Sequence, residues 1–274
     1  MINGEEQYLQ LMSGILYGGK EKESRAGDTI SVFGRQWKHD MRAGFPLLTT
    51  KKVYWKHAVT ELLWILQGRT DLAYLHEHGL KYWDPDYNRS GRTDMDLGPV
   101  YGKQLRSFNG TDQLKQLLID IKQNPSSRRL MASLWNPSDM ADAVLPPCHY
   151  GFQVYINDGV IDLMWNQRSV DVFLGLPYDI AMYGLLLYML AKGNGLKPGQ
   201  LIANLGDCHL YANHKEQAKE QLSREQLKLP SVDVMFGLSY IGGTTDSIVM
   251  DTHDTIKLIG YESHAAIKAP LSVG

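Results

Sequence analysis

Of the chain's two cysteines, Cys148 stands in a setting that suits nucleophilic chemistry. In the run Leu145-Pro146-Pro147-Cys148-His149, two prolines stiffen the backbone before the sulfur and fix where it sits. A histidine follows directly, and arginines elsewhere in the chain supply cations of the kind that lower a thiol pKa. A lone cysteine is as a rule a small buried hydrophobe, so residue type alone does not separate a packed side chain from an attacking sulfur. Cys208, in Gly206-Asp207-Cys208-His209, has only what reads as a loop around it and is expected to be structural.

Phosphate chemistry is suggested by Ser126-Ser127-Arg128-Arg129 and by Gln167-Arg168-Ser169. Guanidinium forks match phosphate oxygens and stay charged, and Ser169 adds a hydroxyl donor. Paired arginines at a strand start read equally well as a solvated rim. Glu61 lies within the apolar helical run from Ala58 to Leu66. A carboxylate there is costly to bury unless it is paired or working, and helical geometry also lets it point outward. His149, His209 and His214 match no compact metal-ligand spacing, so no metal is expected.

These groups need elements to position them. Tyr8, Leu9, Met12, Ile15 and Leu16 share a helical face that Gly18-Gly19 ends. Thr29 to Phe33 alternates as a strand, Lys56 to Gln67 reads as a helix, and residues 84–98 read as a turn-rich surface loop. Asp112 to Gln123 is an amphipathic helix closed by Asn124-Pro125. Leu130 to Trp135 alternates. So do Phe152 to Ile156 and Val160 to Trp165, which Asp158-Gly159 joins as a two-residue hairpin turn. Arg168 then ends the strand that starts at Val160, at a strand terminus where sites tend to form. Pro177 to Lys192 is apolar on nearly every side and should be a buried helix. Leu201 to Leu205 reads as a strand and Asn213 to Leu222 as a helix, with short strands in the tail. Strands and helices mix without a βαβ rhythm, which predicts one α+β domain over residues 1–274, built on a mixed β-sheet with flanking helices.

Composition narrows the function classes. With 274 residues and 43% hydrophobic side chains the chain can bury a large core. A net charge of −2 gives no electrostatic case for nucleic acid or for a membrane surface. Two cysteines exclude a disulfide scaffold and fit a reducing compartment. The start MINGEEQYLQ carries acids where a signal peptide needs a basic and then an apolar run, and no apolar stretch is long enough to span a bilayer, so a cytoplasmic location is expected.

Taken together, several blocks resemble the thymidylate synthase family along nearly the whole chain. They include Arg25 with Ile30-Ser31-Val32-Phe33-Gly34, Phe45 to Lys51, Glu61-Leu62-Leu63-Trp64, Asp96 to Gly102, and Ser127-Arg128-Arg129. Pro147-Cys148-His149, Gln167-Arg168-Ser169, Asp171 to Pro177, Gly206-Asp207 with His209-Leu210-Tyr211, and Ile267 to Pro270 continue the order. The resemblance implies that Cys148 adds to C6 of a pyrimidine nucleotide, so that C5 takes up a one-carbon unit from 5,10-methylenetetrahydrofolate. It implies a phosphate site of Arg25, Arg168 and Ser169, completed by Arg128 and Arg129 from a second subunit, and so a homodimer packed through a sheet face with shared active sites. It gives Gln167 to the nucleotide, His209 and Tyr211 to the sugar 3′-hydroxyl, and proton handling through ordered water to Glu61 and Tyr101. Trp83, Leu145, Asp171, Gly175, Tyr178 and the tail at Leu271 fall to the folate, with Lys51 near its glutamate end.

One position departs from the family pattern. Where the family has an asparagine that reads the pyrimidine, Leu176-Pro177-Tyr178 is followed by Asp179. An ionised aspartate only accepts hydrogen bonds and suits the amino group of cytosine, although aspartate also caps helix starts. The expectation from this residue is a dCMP-using member, a deoxycytidylate hydroxymethylase or methyltransferase, giving 5-hydroxymethyl-dCMP or else 5-methyl-dCMP. A longer 84–94 loop and the loss of a second tryptophan there lean toward the hydroxymethyl product. The alternatives are a thymidylate synthase acting on dUMP and a non-catalytic nucleotide-binding protein.

Overall fold

The structure is a computed structural model describing residues 3–24, 26–242 and 247–271. Helix α1 (Gly4–Gly18) is capped by Asn3, whose side chain accepts from Glu5 N–H, and it buries Tyr8, Met12 and Ile15 completely. A short edge strand β1 (Lys20–Lys22) precedes β2 (Thr29–Asp40). Strand β2 runs well past the expected stop at Phe33: Gly34 has φ 71° yet keeps the strand in register with its neighbour.

Five helices follow: α2 (Trp55–Leu66), α3 (Leu72–Glu77), α4 (Asp84–Ser90), α5 (Tyr101–Ser107) and α6 (Gln113–Gln123). Helix α4 corrects the surface-loop expectation for residues 84–98. Its first turn holds Asp84, Pro85 and Asp86, its last turn holds Arg89, and Gly91 at φ 73° ends it. Those are helix start and stop signals in a stretch whose composition reads as turn. Strands β3 (Met131–Ser133), β4 (His149–Asn157) and β5 (Val160–Asp171) come next, then helix α7 (Leu176–Gly193), strand β6 (Lys197–Tyr211) and helix α8 (Lys215–Leu222). Short strands β7 (Ser231–Val234), β8 (Ser239–Ile241), β9 (Ser247–Val249) and β10 (Ile256–Ile259) pair as β10·β7 and β8·β9.

The main sheet has six strands in the order β1-β2-β6-β5-β4-β3. Its pairs are antiparallel except β5·β6, which is parallel and therefore needs a crossover. Helix α7 is that crossover. It packs on β5 and β6 beneath α2, and it is buried on nearly every side because its sequence is apolar nearly all round. The β4–β5 hairpin turns through Asp158 (φ 49°) and Gly159 (φ 74°), both left-handed, as a type I′ turn requires. Trp37, Trp64 and Trp165 are the largest fully buried side chains.

Two further expectations shift. Strand β6 continues to Tyr211, so Cys208 sits in a strand opposite Val32 and not in a loop. Its thiol is fully buried, and burial pushes it up to about 12. Strand β5 runs to Asp171, so Arg168 stands within the strand and does not end it. The opposite face of the sheet leaves Phe33 81% exposed, Tyr155 63% and Met131 54%. Among the described residues no helix is long and apolar enough to cross a membrane.

Candidate active site

The strand ends of β4, β5 and β6 open on a cleft of ≈ 340 Å³. It brings together Cys148, Leu145, Arg168, Ser169, Asp171, His209 and Tyr211, which come from three separate stretches of the sequence. Pairing explains the convergence. Ser169 of β5 lies beside Asp207 of β6, Asp171 lies beside His209, and the register shift at His149/Gly151 turns the start of β4 toward the same end.

Cys148 is held on three sides. Its N–H donates to the Tyr101 hydroxyl at 2.9 Å, and its carbonyl accepts Arg168 N–H at 2.9 Å. Arg168 also clamps the approach, donating through Nε to Pro147 O and through a terminal nitrogen to Pro146 O, both at 2.9 Å, while its guanidinium lies over Trp135. The expectation that cations make this thiol acidic needs correcting. Burial is the larger effect and raises the Cys148 pKa; Arg168 pulls it back, and Asp179 and Asp86 push it up again. The resting sulfur is a thiol.

Beneath the sulfur lies a stacked, hydrogen-bonded column. The Tyr101 ring stacks on His149 at 4.1 Å, His149 Nδ1 meets the Tyr183 hydroxyl at 2.8 Å, and Tyr183 stacks on Trp165 at 4.9 Å. Burial pushes His149 down to about 3, so its ring is neutral and not an acid–base partner for Cys148. Trp165 Nε1 donates to Gln167 Oε1 at 3.1 Å, and Gln167 Nε2 donates to Asp179 Oδ2 at 2.9 Å. Gln167 is thus a buried positioning group for the first turn of α7.

Glu61 faces inward from α2, and burial raises its carboxyl pKa. The Tyr82 hydroxyl and Trp83 Nε1 are the side-chain groups that lower it, yet both are buried and neither reaches hydrogen-bonding geometry with a described group. Such orphaned donors beside a carboxyl mark a place for ordered water.

On the other flank, Asp171 Oδ1 accepts the N–H groups of Phe173 and Leu174, and its carbonyl accepts Gly175 N–H. A Cβ on Gly175 would meet Asp171 O at 3.1 Å, so the turn into α7 is tight. Tyr178 is half-buried and stacks near His57. Lys51 is buried, donates to Phe173 O and lies over the Phe173 ring. Burial pushes its amine down to about 7, so Lys51 is packed inside and does not line the cleft. The 49–51 turn that carries it is fixed by Glu5, whose carboxylate accepts from the N–H and hydroxyl of both Thr49 and Thr50 at 2.7–2.9 Å. The tail docks through His214 Nε2 on Pro270 O at 2.8 Å, and Leu271 beyond it is 49% exposed.

Arg128 and Arg129 are exposed ahead of β3 and do not line this cleft. Arg25 lies outside the described residues. The cleft also holds residues that sequence reasoning passed over. Asp86 reaches it from α4, and Lys22, paired to Asp207 Oδ2 at 2.7 Å, reaches it from the edge strand. A helix starting at Asp84-Pro85 was the available signal for Asp86; Lys22 carried none.

The thymidylate synthase family model matches residues 6–273. A thymidylate synthase of Mycoplasma genitalium is 43% identical over 294 aligned residues, covering 98% of this chain and 100% of the relative. This likeness overturns the expectation of a dCMP-using hydroxymethylase or methyltransferase. That expectation rested on the single residue Asp179, whose carboxyl is pushed up to about 7 by burial above all, against the lowering hydrogen bond from Gln167 and with the charges of Glu61 and Asp171 adding to the rise. With its α+β fold, its mixed sheet flanked by helices and a match from residue 6 to residue 273, the chain belongs to the thymidylate synthase family.

Proposed function

We propose that the protein methylates dUMP at C5 to give dTMP, with 5,10-methylenetetrahydrofolate, the cofactor of this family, as the one-carbon donor. The observation that carries this reading is Cys148, clamped between Tyr101 and Arg168 on the wall of a cleft that also presents Ser169, His209 and Tyr211.

The chemistry runs as follows. Cys148 Sγ, on losing its proton, adds to C6 of the uracil ring; the C5–C6 π pair moves toward C5 and O4, and C5 becomes the nucleophile. Arg168 favours the thiolate and holds the 146–148 backbone in place. It takes the phosphate together with Ser169 and Arg25, while His209 and Tyr211 take the 3′-hydroxyl. Glu61 and Tyr101 move protons at the ring through water beside Tyr82 and Trp83. When bound, the folate supplies an activated one-carbon unit and the hydride that brings it to the methyl level. Leu145 and Trp83 offer apolar faces for its rings and Asp171 a carboxylate acceptor; the Asp171 turn uses only Oδ1. Gly175 and Tyr178 shape that wall, Lys51 backs it from inside, and Leu271 stands at the tail that closes over it.

The working unit in this reading is a homodimer. Phe33, Met131 and Tyr155 form an exposed apolar face on the sheet, and Arg128 and Arg129, exposed near one edge of it, complete the phosphate site of the other subunit. The test is turnover of dUMP with the folate. Dihydrofolate forming in step with a nucleotide one methylene heavier supports the proposal; no turnover, or a product with an extra oxygen, sinks it. A 5-fluoro nucleotide that fails to form a covalent adduct with folate present would leave only a binding protein.

A further inference from the structure

His214 closes the short 3-10 turn Ala212–His214 that joins β6 to α8, and its side chain is fully buried. Three contacts fix the imidazole. Its ring lies 5.5 Å from that of Phe173 and, edge to face, 5.6 Å from that of Tyr211. Its Nε2 stands 2.8 Å from Pro270 O. A carbonyl oxygen can only accept, so Nε2 carries a proton and donates it. Nδ1, equally buried, has no hydrogen-bond partner among the described residues. The bond to Pro270 is therefore the polar anchorage of this ring.

The three contacts reach three different parts of the site. Tyr211 lines the cleft beside His209, whose ring meets it edge to face at 5.2 Å; in the proposed reading this pair takes the sugar 3′-hydroxyl. Phe173 belongs to the turn after β5, where its N–H donates to Asp171 Oδ1 at 2.9 Å and its carbonyl accepts from Lys51. That turn backs the wall offered to the folate. Pro270 belongs to the tail and immediately precedes Leu271. His214 lines no part of the cleft itself. It sits behind, where the sugar wall, the folate wall and the tail meet.

Further upstream the tail has separate anchors. The Tyr261 hydroxyl donates to Leu48 O at 2.8 Å, His264 N–H donates to Thr49 O at 2.8 Å, and Arg224 donates to Ala265 O at 2.7 Å. Beyond Ala265, Ile267 and Ala269 pack against the core, and among the described residues the next hydrogen bond is the one from His214. Pro270 has no N–H, so its carbonyl is the one backbone hydrogen-bonding group it offers.

We infer that His214 is a positioning residue for the folate step: it ties the seat of the tail at Pro270 to Tyr211, so that a nucleotide 3′-hydroxyl that orders Tyr211 also seats the tail against the folate. His214 has this role only if dUMP and the folate are the reactants proposed above. The imidazole touches neither of them. It acts through a ring on one side and a carbonyl on the other. Coupling of this kind is reciprocal, so a seated tail in turn favours the nucleotide.

The experiment separates the hydrogen bond from the packing. His214→Phe keeps a ring between Phe173 and Tyr211 but gives up the bond to Pro270. His214→Gln gives up the ring but keeps an amide N–H donor. A carbonyl that loses its buried partner should raise the KM for 5,10-methylenetetrahydrofolate about tenfold in His214→Phe. Calorimetry of dUMP binding to the folate-free protein should change less than about twofold. His214→Gln should bring the folate KM back toward the wild-type value.

A second arm needs only the wild type. Binding of tetrahydrofolate, which carries no one-carbon unit to transfer, is measured with saturating dUMP and with the saturating 2′,3′-dideoxy nucleotide. The 3′-hydroxyl should tighten folate binding about fivefold or more in the wild type, and that difference should vanish in His214→Phe. An unchanged folate KM in His214→Phe overturns this role. So does a loss of dUMP affinity equal to the loss for folate, which is what general damage to the fold would give. A wild type in which both nucleotides support folate binding equally overturns it too, even if His214→Phe does not fold. Failure of the wild type to turn over dUMP with the folate overturns the proposed function, and this role with it.

Discussion

The Cys148 N–H donates to the Tyr101 hydroxyl at 2.9 Å, and the Tyr101 ring is stacked 4.1 Å from His149. The tyrosine thus fixes the backbone of the attacking residue as well as standing beside its sulfur. Tyr101→Phe removes the acceptor and leaves the N–H unpaired, at a cost of about 1–3 kcal/mol. If that cost falls on the positioned sulfur, kcat should drop by about tenfold to a hundredfold with a smaller change in KM for dUMP. Steady-state kinetics read this directly; an unchanged kcat would show that the hydrogen bond does not position the nucleophile.

Arg168 is the larger of the two influences, with Tyr101, that pull the buried Cys148 thiol back toward ionisation. Arg168→Gln removes that charge, so the thiol pKa rises further and the thiolate fraction at neutral pH falls. Alkylation of Cys148 in the free protein should slow about tenfold near pH 7 and reach its plateau at higher pH. Cys208, buried in its strand, should stay unreactive in both proteins. Equal alkylation profiles would mean that the arginine acts only on the phosphate and the backbone.

Glu5 accepts four hydrogen bonds from Thr49 and Thr50 while almost fully buried. A glutamine there presents an NH2 group to donors and leaves some of them unpaired. Glu5→Gln should lower unfolding stability by about 2–4 kcal/mol, because hydrogen bonds to charged groups are the stronger kind. Urea denaturation would show this as a lower midpoint at unchanged slope. Because His264 N–H also bonds Thr49 O, the loss should loosen the tail and raise the KM for folate.

The exposed sheet face predicts association. Phe33→Asp combined with Tyr155→Asp should convert a dimer into monomers in analytical ultracentrifugation and abolish turnover, since Arg128 and Arg129 then have no neighbouring site. Shared sites also predict rescue. Two inactive variants, Cys148→Ser and a double Arg128→Ala, Arg129→Ala chain, mixed and allowed to exchange, should recover about a quarter of wild-type activity, because half the dimers are mixed and half of their sites are intact. No recovery in exchanged dimers would argue for self-contained sites.

Much of the architecture could be read from periodicity. The amphipathic helices α1, α2 and α6, the β4–β5 hairpin with its Asp158-Gly159 turn and the buried helix α7 all stand where apolar spacing and turn residues placed them. The differences have two causes. The strands expected to end at Phe33 and Leu205 run on through Gly34 and Gly206, because neighbouring strands supply the pairing that local preference withholds. Helix α4 was hidden by a composition that is equally a loop's. At the site, Cys148, Arg168, Ser169, His209 and Tyr211, singled out in the sequence, line one cleft, but charge states could not be read from residue type. Whether Cys148 is a thiol, and whether Asp179 is an acid or an anion, depends on burial and on Glu61, Asp171 and Asp86, which come together only through the fold.

The parallel pairing of β5 with β6 has a final implication for how this chain tolerates change in length. Gln167 and Asp179 stand on either side of the short bend at residues 172–175, and α7 is locked at its far end by the return into β6. Inserting or deleting a single residue in that bend would swing the start of α7 by about 100° and carry the carboxyl off the glutamine. Natural insertions should therefore gather in the stretches at the molecule's rim, and the spacing between these two side chains should be the least negotiable distance in the protein.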